Sequence, residues 1–242
     1  TILESKVDGI KIGDLIGQKG SKIEVDLVAT FLPRIVIDSL LTVIKESNLE
    51  IDHLTLEPIA ASNLIIPSQM YNFNLALVDI GAGTSDLAIT KNGAIIGYAM
   101  VPVAGDEITE AICEHYMVNY DTAETIKREL TTKDKVEVKD ILDQKITIST
   151  SEIIKRIEPK IEELAQLISE KILNVNQQPP QAVMCIGGGS LTPLLKEKLS
   201  QNLDLPLNRV GIKNGEELEG IEGSFENLTG TQSITPFGIA VS

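Results

Sequence analysis

Apolar positions change their spacing several times along the chain, and each change predicts an element. Ile23-Glu24-Val25-Asp26-Leu27 alternates apolar with polar and runs on through Val28-Ala29, as a half-buried strand does. A shorter β-like run over 9–12 precedes it, with Gly13, Gly17 and Gly20 in the loop between. After Pro33, at a plausible first helical position, Ile35, Ile37, Leu40, Leu41 and Ile44 recur at helical spacing as far as Ser47-Asn48. Residues 49–56 read as another strand, so the first 57 residues predict a β-β-α-β unit. An unbroken apolar run, Leu75-Ala76-Leu77-Val78, predicts a buried strand that delivers Asp79 at its end. A second strand starts at Asp86, and Asn92-Gly93 is a two-residue hairpin signal into a third over 93–103. Gly105 breaks that strand, and Ile108, Ala111, Ile112 and His115 share a helical face. Asp121, with Glu124 three residues on, has the form of a capping box. Two β runs, 135–138 and 145–149, lead to the longest helix, capped by Ser151 and striped by Ile153, Ile154, Ile157, Ile161, Leu164, Ala165, Ile168 and Ile172. A polar, Pro-containing linker over 174–180 follows. A buried strand over 182–186 then turns through Gly187-Gly188-Gly189-Ser190 into a helix from Leu191. Residues 211–230, acidic and glycine-rich, read as a loop, and a last helix begins at Thr235.

The turn Gly81-Ala82-Gly83-Thr84-Ser85 therefore joins strand to strand. That excludes a dinucleotide fingerprint and a P-loop, both of which open a helix; here Asp86 holds the sixth position and no lysine follows. Two glycines flanking one small residue let backbone N–H groups gather round an anion. Asp79 and Asp86 bracket the turn, which suits a hydrated Mg²⁺ held by phosphate and one or two acids. A plain β-turn with acidic ends accounts for the same residues. Strand, glycines, helix over 182–191 is the grammar of close ligand approach, and equally that of a cramped turn. Glu57, just before Pro58 at a helix start, is on local grounds either a capping carboxylate or a site residue. Glu124, Lys127, Arg128 and Thr131 lie on one helical stripe, which by itself also suits a solvated face with an internal salt bridge.

Composition narrows the picture further. Hydrophobic residues make up 43% of the 242 positions but aromatics only 3%, with no Trp, so the core must be Ile, Leu and Val, as in α/β folds. A formal net charge of −14 argues against a nucleic-acid or anionic-membrane surface. Cys113 and Cys185 stand alone in apolar stretches and read as free thiols suited to a reducing cytoplasm. His53 and His115 are isolated, which removes a zinc site or a His-based triad from consideration. No signal peptide and no apolar run of about 18 residues occurs, so a cytoplasmic protein is expected. The chain opens at Thr1 in mid-pattern, as expected of a piece of a longer protein.

The phrase Asp79-Ile80-Gly81-Ala82-Gly83-Thr84-Ser85-Asp86 resembles the second phosphate loop of the actin-like ATPases, the superfamily of actin, DnaK-type chaperones, MreB, FtsA and PilM. Other stretches resemble the same superfamily in order. Glu57-Pro58-Ile59-Ala60-Ala61 is similar to the Asn-Glu-Pro-Thr-Ala-Ala of DnaK-type chaperones, and Gly105-Asp106-Glu107 to the helix start that follows the phosphate loop. The Glu124, Lys127, Arg128 stripe matches the helix that grips adenosine in the chaperones. Gly187-Gly188-Gly189-Ser190 resembles the adenosine loop, although Leu191 stands where chaperones generally carry a base-stacking Arg. This resemblance implies an α/β fold, an actin-like (ribonuclease H-like) ATPase lobe over 57–242 with a mixed sheet flanked by helices. An insert subdomain over about 119–177 and a partial α+β subdomain of the other lobe over 1–56 go with it. It implies ATP or ADP and Mg²⁺ as ligands, Glu57 and Asp79 in catalytic roles, and Asp79 and Asp86 as metal ligands. Nucleotide contacts would come from Gly81, Ala82, Gly83, Thr84, Ser85, Gly105, Glu124, Lys127, Arg128, Gly187, Gly188, Gly189 and Ser190. The first phosphate loop of the superfamily is not found, so hydrolysis by this stretch alone is not expected. The likeness is closest to FtsA and PilM, which implies nucleotide-controlled lobe closure, with self-assembly or a cell-division protein as partner. The alternative is a DnaK-type chaperone or reactivase. Neither nucleic acid nor direct membrane insertion is expected.

Overall fold

The computed structural model describes residues 2–29, 31–139, 142, 144–215 and 230–241. In chain order the elements are β1 (Ile2–Val7), β2 (Ile10–Lys11), β3 (Ile23–Leu27), α1 (Arg34–Glu46), α2 (Glu57–Ile65), β4 (Leu75–Ile80), β5 (Ser85–Lys91), β6 (Ala94–Val101), α3 (Gly105–Tyr116) and α4 (Tyr120–Glu129). Then come β7 (Lys135–Lys139), β8 (Lys145–Ser149), α5 (Thr150–Asn176), β9 (Ala182–Ile186), α6 (Leu195–Asn202), β10 (Val210–Ile212) and α7 (Ile234–Val241).

The apolar runs meet in a five-stranded mixed sheet of order β10-β9-β4-β5-β6. β10, β9 and β4 are parallel, whereas β4, β5 and β6 form an antiparallel meander. Both faces are covered, which is why β4 runs apolar from Leu75 to Val78 and does not alternate. Ala76, Val78 and Ile80 of β4 join Leu87, Ile89, Ile108, Ile112 and the buried stripe of α5 on one face. Leu77 joins Ala88, Ile95, Ile186, Ala61 and Ile234 on the other, under α2 and α7. A buried reciprocal amide pair, Asn74 with Asn176 at 2.7 and 2.8 Å, ties the start of β4 to the end of α5. Because β4 and β9 run parallel, their carboxyl ends and the two glycine turns that follow them emerge on the same side. The fold is α/β with a mixed sheet between helical layers, as expected from the sequence.

Several local expectations change. Residues 49–56 form no strand: Leu49, Ile51 and Leu54 stay exposed, and alternation without a neighbouring strand to complete its hydrogen bonds makes no sheet. The small antiparallel sheet at the start has the order β2-β1-β3 and draws its central strand from residues 2–7, whose polar pattern did not announce it. Pro33 is the N-cap of α1 and lies just outside the helix. Asn119, whose side chain accepts from Thr122 N–H, caps α4 in place of Asp121. Ser149, accepting from Glu152 N–H, caps α5 in place of Ser151. That helix runs on to Asn176, where Gln177 takes a left-handed φ of 61°. After β9 the glycines wind into a 3-10 turn, Gly188–Leu191, and α6 starts only at Leu195. The break has a cause in Pro193, which forces Thr192 into an extended conformation (φ −59°, ψ 125°). Of the loop expected over 211–230, residues 211–212 belong to β10 and 216–229 lie outside the described residues.

Candidate functional site

Gly81 N–H donates to Thr84 C=O at 3.0 Å and closes the turn between β4 and β5. Ala82, Gly83 and Thr84 are exposed, and among the described residues the N–H groups of Ala82 and Gly83 have no protein partner. Ser85 faces inward; it is fully buried and its hydroxyl donates to Val103 C=O at 2.9 Å. Behind the turn stands the first turn of α3. Gly105 N–H reaches Gly81 C=O at 3.2 Å and Asp106 N–H reaches Ala82 C=O at 2.8 Å. These two helix-start amides thus support the turn and are not open to a ligand. A Cβ on Gly105 would sit 3.2 Å from Gly81 O and 3.3 Å from Lys127 Nζ, which explains the glycine there.

Helix α4 braces this arrangement from the outside. Lys127 Nζ donates to Gly105 C=O at 3.0 Å and to Thr109 Oγ1 at 2.7 Å, and pairs with Glu124 Oε2 at 2.6 Å. All three ammonium donors are thereby engaged. Thr109 Oγ1 donates to the same Glu124 oxygen at 2.8 Å. Burial pushes the Glu124 carboxyl up, but the donors from Lys127 and Thr109 outweigh it and hold the group below its ordinary value. Arg128 meets Glu124 at 3.0 Å with 77% of its side chain exposed. Tyr120, which the sequence pattern did not single out, donates to Asp106 Oδ1 at 2.5 Å, and that bond pushes its phenol up to about 12.

Two carboxylates face each other at the end of β4, and a third stands near enough to feel their charge. Asp79 pairs with Asp86 directly across the β4–β5 ladder, and Glu57 is the first residue of α2. Burial raises the Asp79 pKa; the Thr235 hydroxyl, bonded to its Oδ2, opposes that rise and the Asp86 charge adds to it. Burial also raises Asp86, against a 3.3 Å hydrogen bond from Thr84 Oγ1. Glu57 is raised by desolvation first, then by the charges of Asp86 and Asp79. None of the three has a lysine or arginine ion-pair partner among the described residues. Nor do three His, Cys, Asp or Glu side chains converge anywhere among the described residues into a cage for a metal. Carboxylates desolvated, mutually repelling and short of a cation fit a hydrated Mg²⁺ that takes one or two acids and completes its octahedron with water and phosphate.

The second turn packs onto the first. Gly187 has φ 80° and ψ 159°, and a Cβ there would run into Asp79 Oδ1 and the Ile80 carbonyl. At Gly189 the Cβ would lie 2.5 Å from Ile80 Cγ2 and 2.9 Å from Gly81 O. Gly188 meets nothing within 4 Å and opens outward. Ser190 is buried and its hydroxyl closes the turn on Gly187 C=O at 2.7 Å, while Leu191 is exposed. The structure thus brings Glu57, Asp79, Asp86, the 81–85 turn, Gly105 and the 187–190 turn to one end of the sheet. Glu124 and Lys127 stand behind α3, and Ser85 and Ser190 point their hydroxyls into the protein. Thr109, Tyr120 and Thr235 are contributors that sequence reasoning missed; each is a single polar residue in a helix, with no motif to mark it.

A strand, an acid at its end, a glycine turn back into an antiparallel meander and a second glycine turn on the adjacent parallel strand compose one motif. The family model described as cell division protein FtsA matches residues 76–231, well over half of the chain and both turns. This chain belongs to the FtsA family. FtsA of Bacillus subtilis (strain 168) is 24% identical over 217 residues, which cover 84% of this chain and 49% of that protein. The chain spans about half the length of the curated relatives it matches. Among solved structures, that of the PilM–PilN type IV pilus biogenesis complex is similar at a TM-score of 0.68 and 19% identity, covering 86% of this chain and 57% of that one. MreB5 of Spiroplasma citri bound to ADP is similar at 0.65 and 16% identity, covering 98% of this chain and 87% of that one. These likenesses show the actin-like fold, and the family match falls on the division branch and not on the chaperone branch weighed as its alternative. Among the described residues no helix is long and apolar enough to cross a membrane.

Proposed function

We propose that this FtsA-family chain binds ATP or ADP with Mg²⁺ across its two glycine turns, and that the nucleotide controls lobe closure, self-assembly and engagement of a cell-division protein. One observation carries the reading: among the described residues the exposed amides of Ala82 and Gly83 have no protein partner, and Asp79 and Asp86, which bracket their turn, have no ion-pair partner. In this reading the amides and the Thr84 hydroxyl take the phosphates, and Asp79 and Asp86 hold the hydrated Mg²⁺, which supplies the positive charge the pocket lacks. Glu57 orients water beside them. The adenosine would lie along Gly188 and Leu191, and the exposed Arg128 is the cation on α4 that could reach it. Glu124, Lys127, Gly105, Ser85 and Ser190 hold the two turns in place from behind. The ADP in the similar MreB5 structure supports a nucleotide, and the PilN partner in the similar PilM structure supports a protein partner. Residues 57–242 act as the nucleotide lobe and residues 1–56 as part of its neighbour.

The test is calorimetric titration of ADP and ATP with Mg²⁺ into the 242-residue chain, its Asp79→Ala variant and its Gly188→Val variant. Gly188 faces open space, so valine there projects into the proposed nucleotide position without disturbing the core. Each variant is expected to weaken ADP at least about tenfold, the equivalent of roughly 1.4 kcal/mol. Unchanged affinity in both variants, or no binding by the unsubstituted chain, would remove the nucleotide from these turns.

A further inference from the structure

We infer that Thr235 is a positioning residue for the Asp79 carboxylate, so that the α2–α7 helix pair sets the geometry in which Asp79 meets Mg²⁺. The inference rests on the nucleotide reading above and extends it to a residue that no motif marks. Thr231 lies in the 3-10 turn Thr231–Ser233 that leads into α7, and Thr235 lies in the first turn of that helix. Each holds the end of one parallel strand. Thr231 C=O accepts Gly187 N–H at 3.1 Å, at the end of β9, and Thr235 Oγ1 donates to Asp79 Oδ2, at the end of β4. The other Asp79 oxygen, Oδ1, lies so close to Gly187 that no Cβ would fit there. One oxygen is thus hydrogen-bonded and the other walled, which leaves the carboxylate a single orientation.

The donor itself has little freedom. Gly238, one turn further along α7, lies so close to α2 that a Cβ would fall 2.5 Å from Ala60 O. Ala60 and Ala61 are fully buried, and Ile234 is packed in the core cluster between the two helices and the sheet. α7 therefore keeps a fixed register on α2, and α2 carries Glu57 at its first position. Through Gly238, the pair delivers Glu57 and the Thr235 hydroxyl to Asp79 as one rigid piece. A carboxylate oxygen that accepts one bond from a fixed hydroxyl keeps further lone pairs for metal-bound water. Thr235 therefore does not need to touch the ion to govern its binding.

The test compares Thr235→Val, which keeps the shape and removes the donor, with Thr235→Ser, which keeps the donor. ADP binding by the full chain is titrated calorimetrically at a series of Mg²⁺ concentrations and again in chelator, with thermal unfolding checking that each variant is folded. The valine variant is expected to need about tenfold more Mg²⁺ for half-maximal ADP binding, the scale of one lost hydrogen bond to a charged group. Its Mg²⁺-free affinity should stay put, and serine should restore the dependence to within about twofold of the unsubstituted chain. A valine variant that weakens ADP equally with and without Mg²⁺, or that leaves the Mg²⁺ dependence unchanged, would make Thr235 a packing residue only and overturn the inference. Failure of the unsubstituted chain to bind ADP at any Mg²⁺ concentration is a separate outcome, which overturns the nucleotide reading and this inference with it.

Discussion

Adjacent glycines at 187 and 188 should respond oppositely to alanine. Gly187 adopts φ 80° and ψ 159°, a region essentially reserved for glycine, so Gly187→Ala carries about 1–3 kcal/mol of backbone strain. The new methyl also meets Asp79 Oδ1 and Ile80 C=O, and forcing them apart adds about 1–3 kcal/mol of overpacking. Gly188 has neither a positive φ nor a neighbour within 4 Å of its would-be Cβ. Alanine there is expected to stabilise by about 0.4–1 kcal/mol, because the unfolded chain loses freedom. Urea unfolding followed by circular dichroism separates the two, since stability falls by about 1–3 kcal/mol per molar urea for small proteins. The midpoint of Gly187→Ala should fall by about 1 M or more, and that of Gly188→Ala should hold or rise. Equal shifts in the two variants, or an unperturbed Gly187→Ala, would refute the packing of the second turn against Asp79 on which the site is built.

Protonation of Glu57, Asp79 and Asp86 offers an independent check. Glu57, Asp79 and Asp86 all have raised pKa values, so the folded chain holds their protons more readily than the unfolded chain. Their contribution to stability is fully present below the ordinary carboxylate pKa of about 4 and is lost as pH rises through the raised folded values. In Mg²⁺-free urea titrations across that range, Asp79→Asn should gain on the unsubstituted chain as pH rises; a constant difference would show that Asp79 is not desolvated as described. Lys127→Met removes a side chain only 15% exposed and three of its contacts, and should cost about 1–3 kcal/mol. Arg128→Met, at a largely exposed pair, should cost about 0–1 kcal/mol. Similar denaturation midpoints for these two variants would mean that α4 does not brace α3. Asn176→Ala leaves the buried Asn74 amide without its partner, at about 1–3 kcal/mol, and should lower Tm by several degrees; an unchanged Tm in scanning calorimetry would deny the reciprocal pair.

Much of the fold was legible because its signals are local. The continuous apolar run of β4, the Asn92-Gly93 hairpin and the stripe of α5 are properties of neighbouring residues, and each appears where the pattern puts it, with φ of 54° and 86° at Asn92 and Gly93. The caps of the helices that start at 120 and 150 were each displaced by two residues, because Asn119 and Ser149 compete for the same cap with equally suitable neighbours. The alternation over 49–56 was misleading for a different reason: a strand requires a partner, which no local pattern supplies. The candidate site residues were likewise marked by spacing, since glycines two apart and acids at strand ends are visible in one dimension. Their duties were not. Parallel pairing of β4 with β9 brings together turns about a hundred residues apart, and α7 returns Thr235 to an aspartate 156 positions earlier. The sequence by itself determined the elements whose signals are local, β4 to β6 and α5 among them, and marked the two glycine turns as candidates for close ligand approach. Only the tertiary structure decided that Ser85 and Ser190 point inward, that Lys127 braces α3 and that Thr235 reaches Asp79, because a side chain's direction follows from register and from partners distant along the chain.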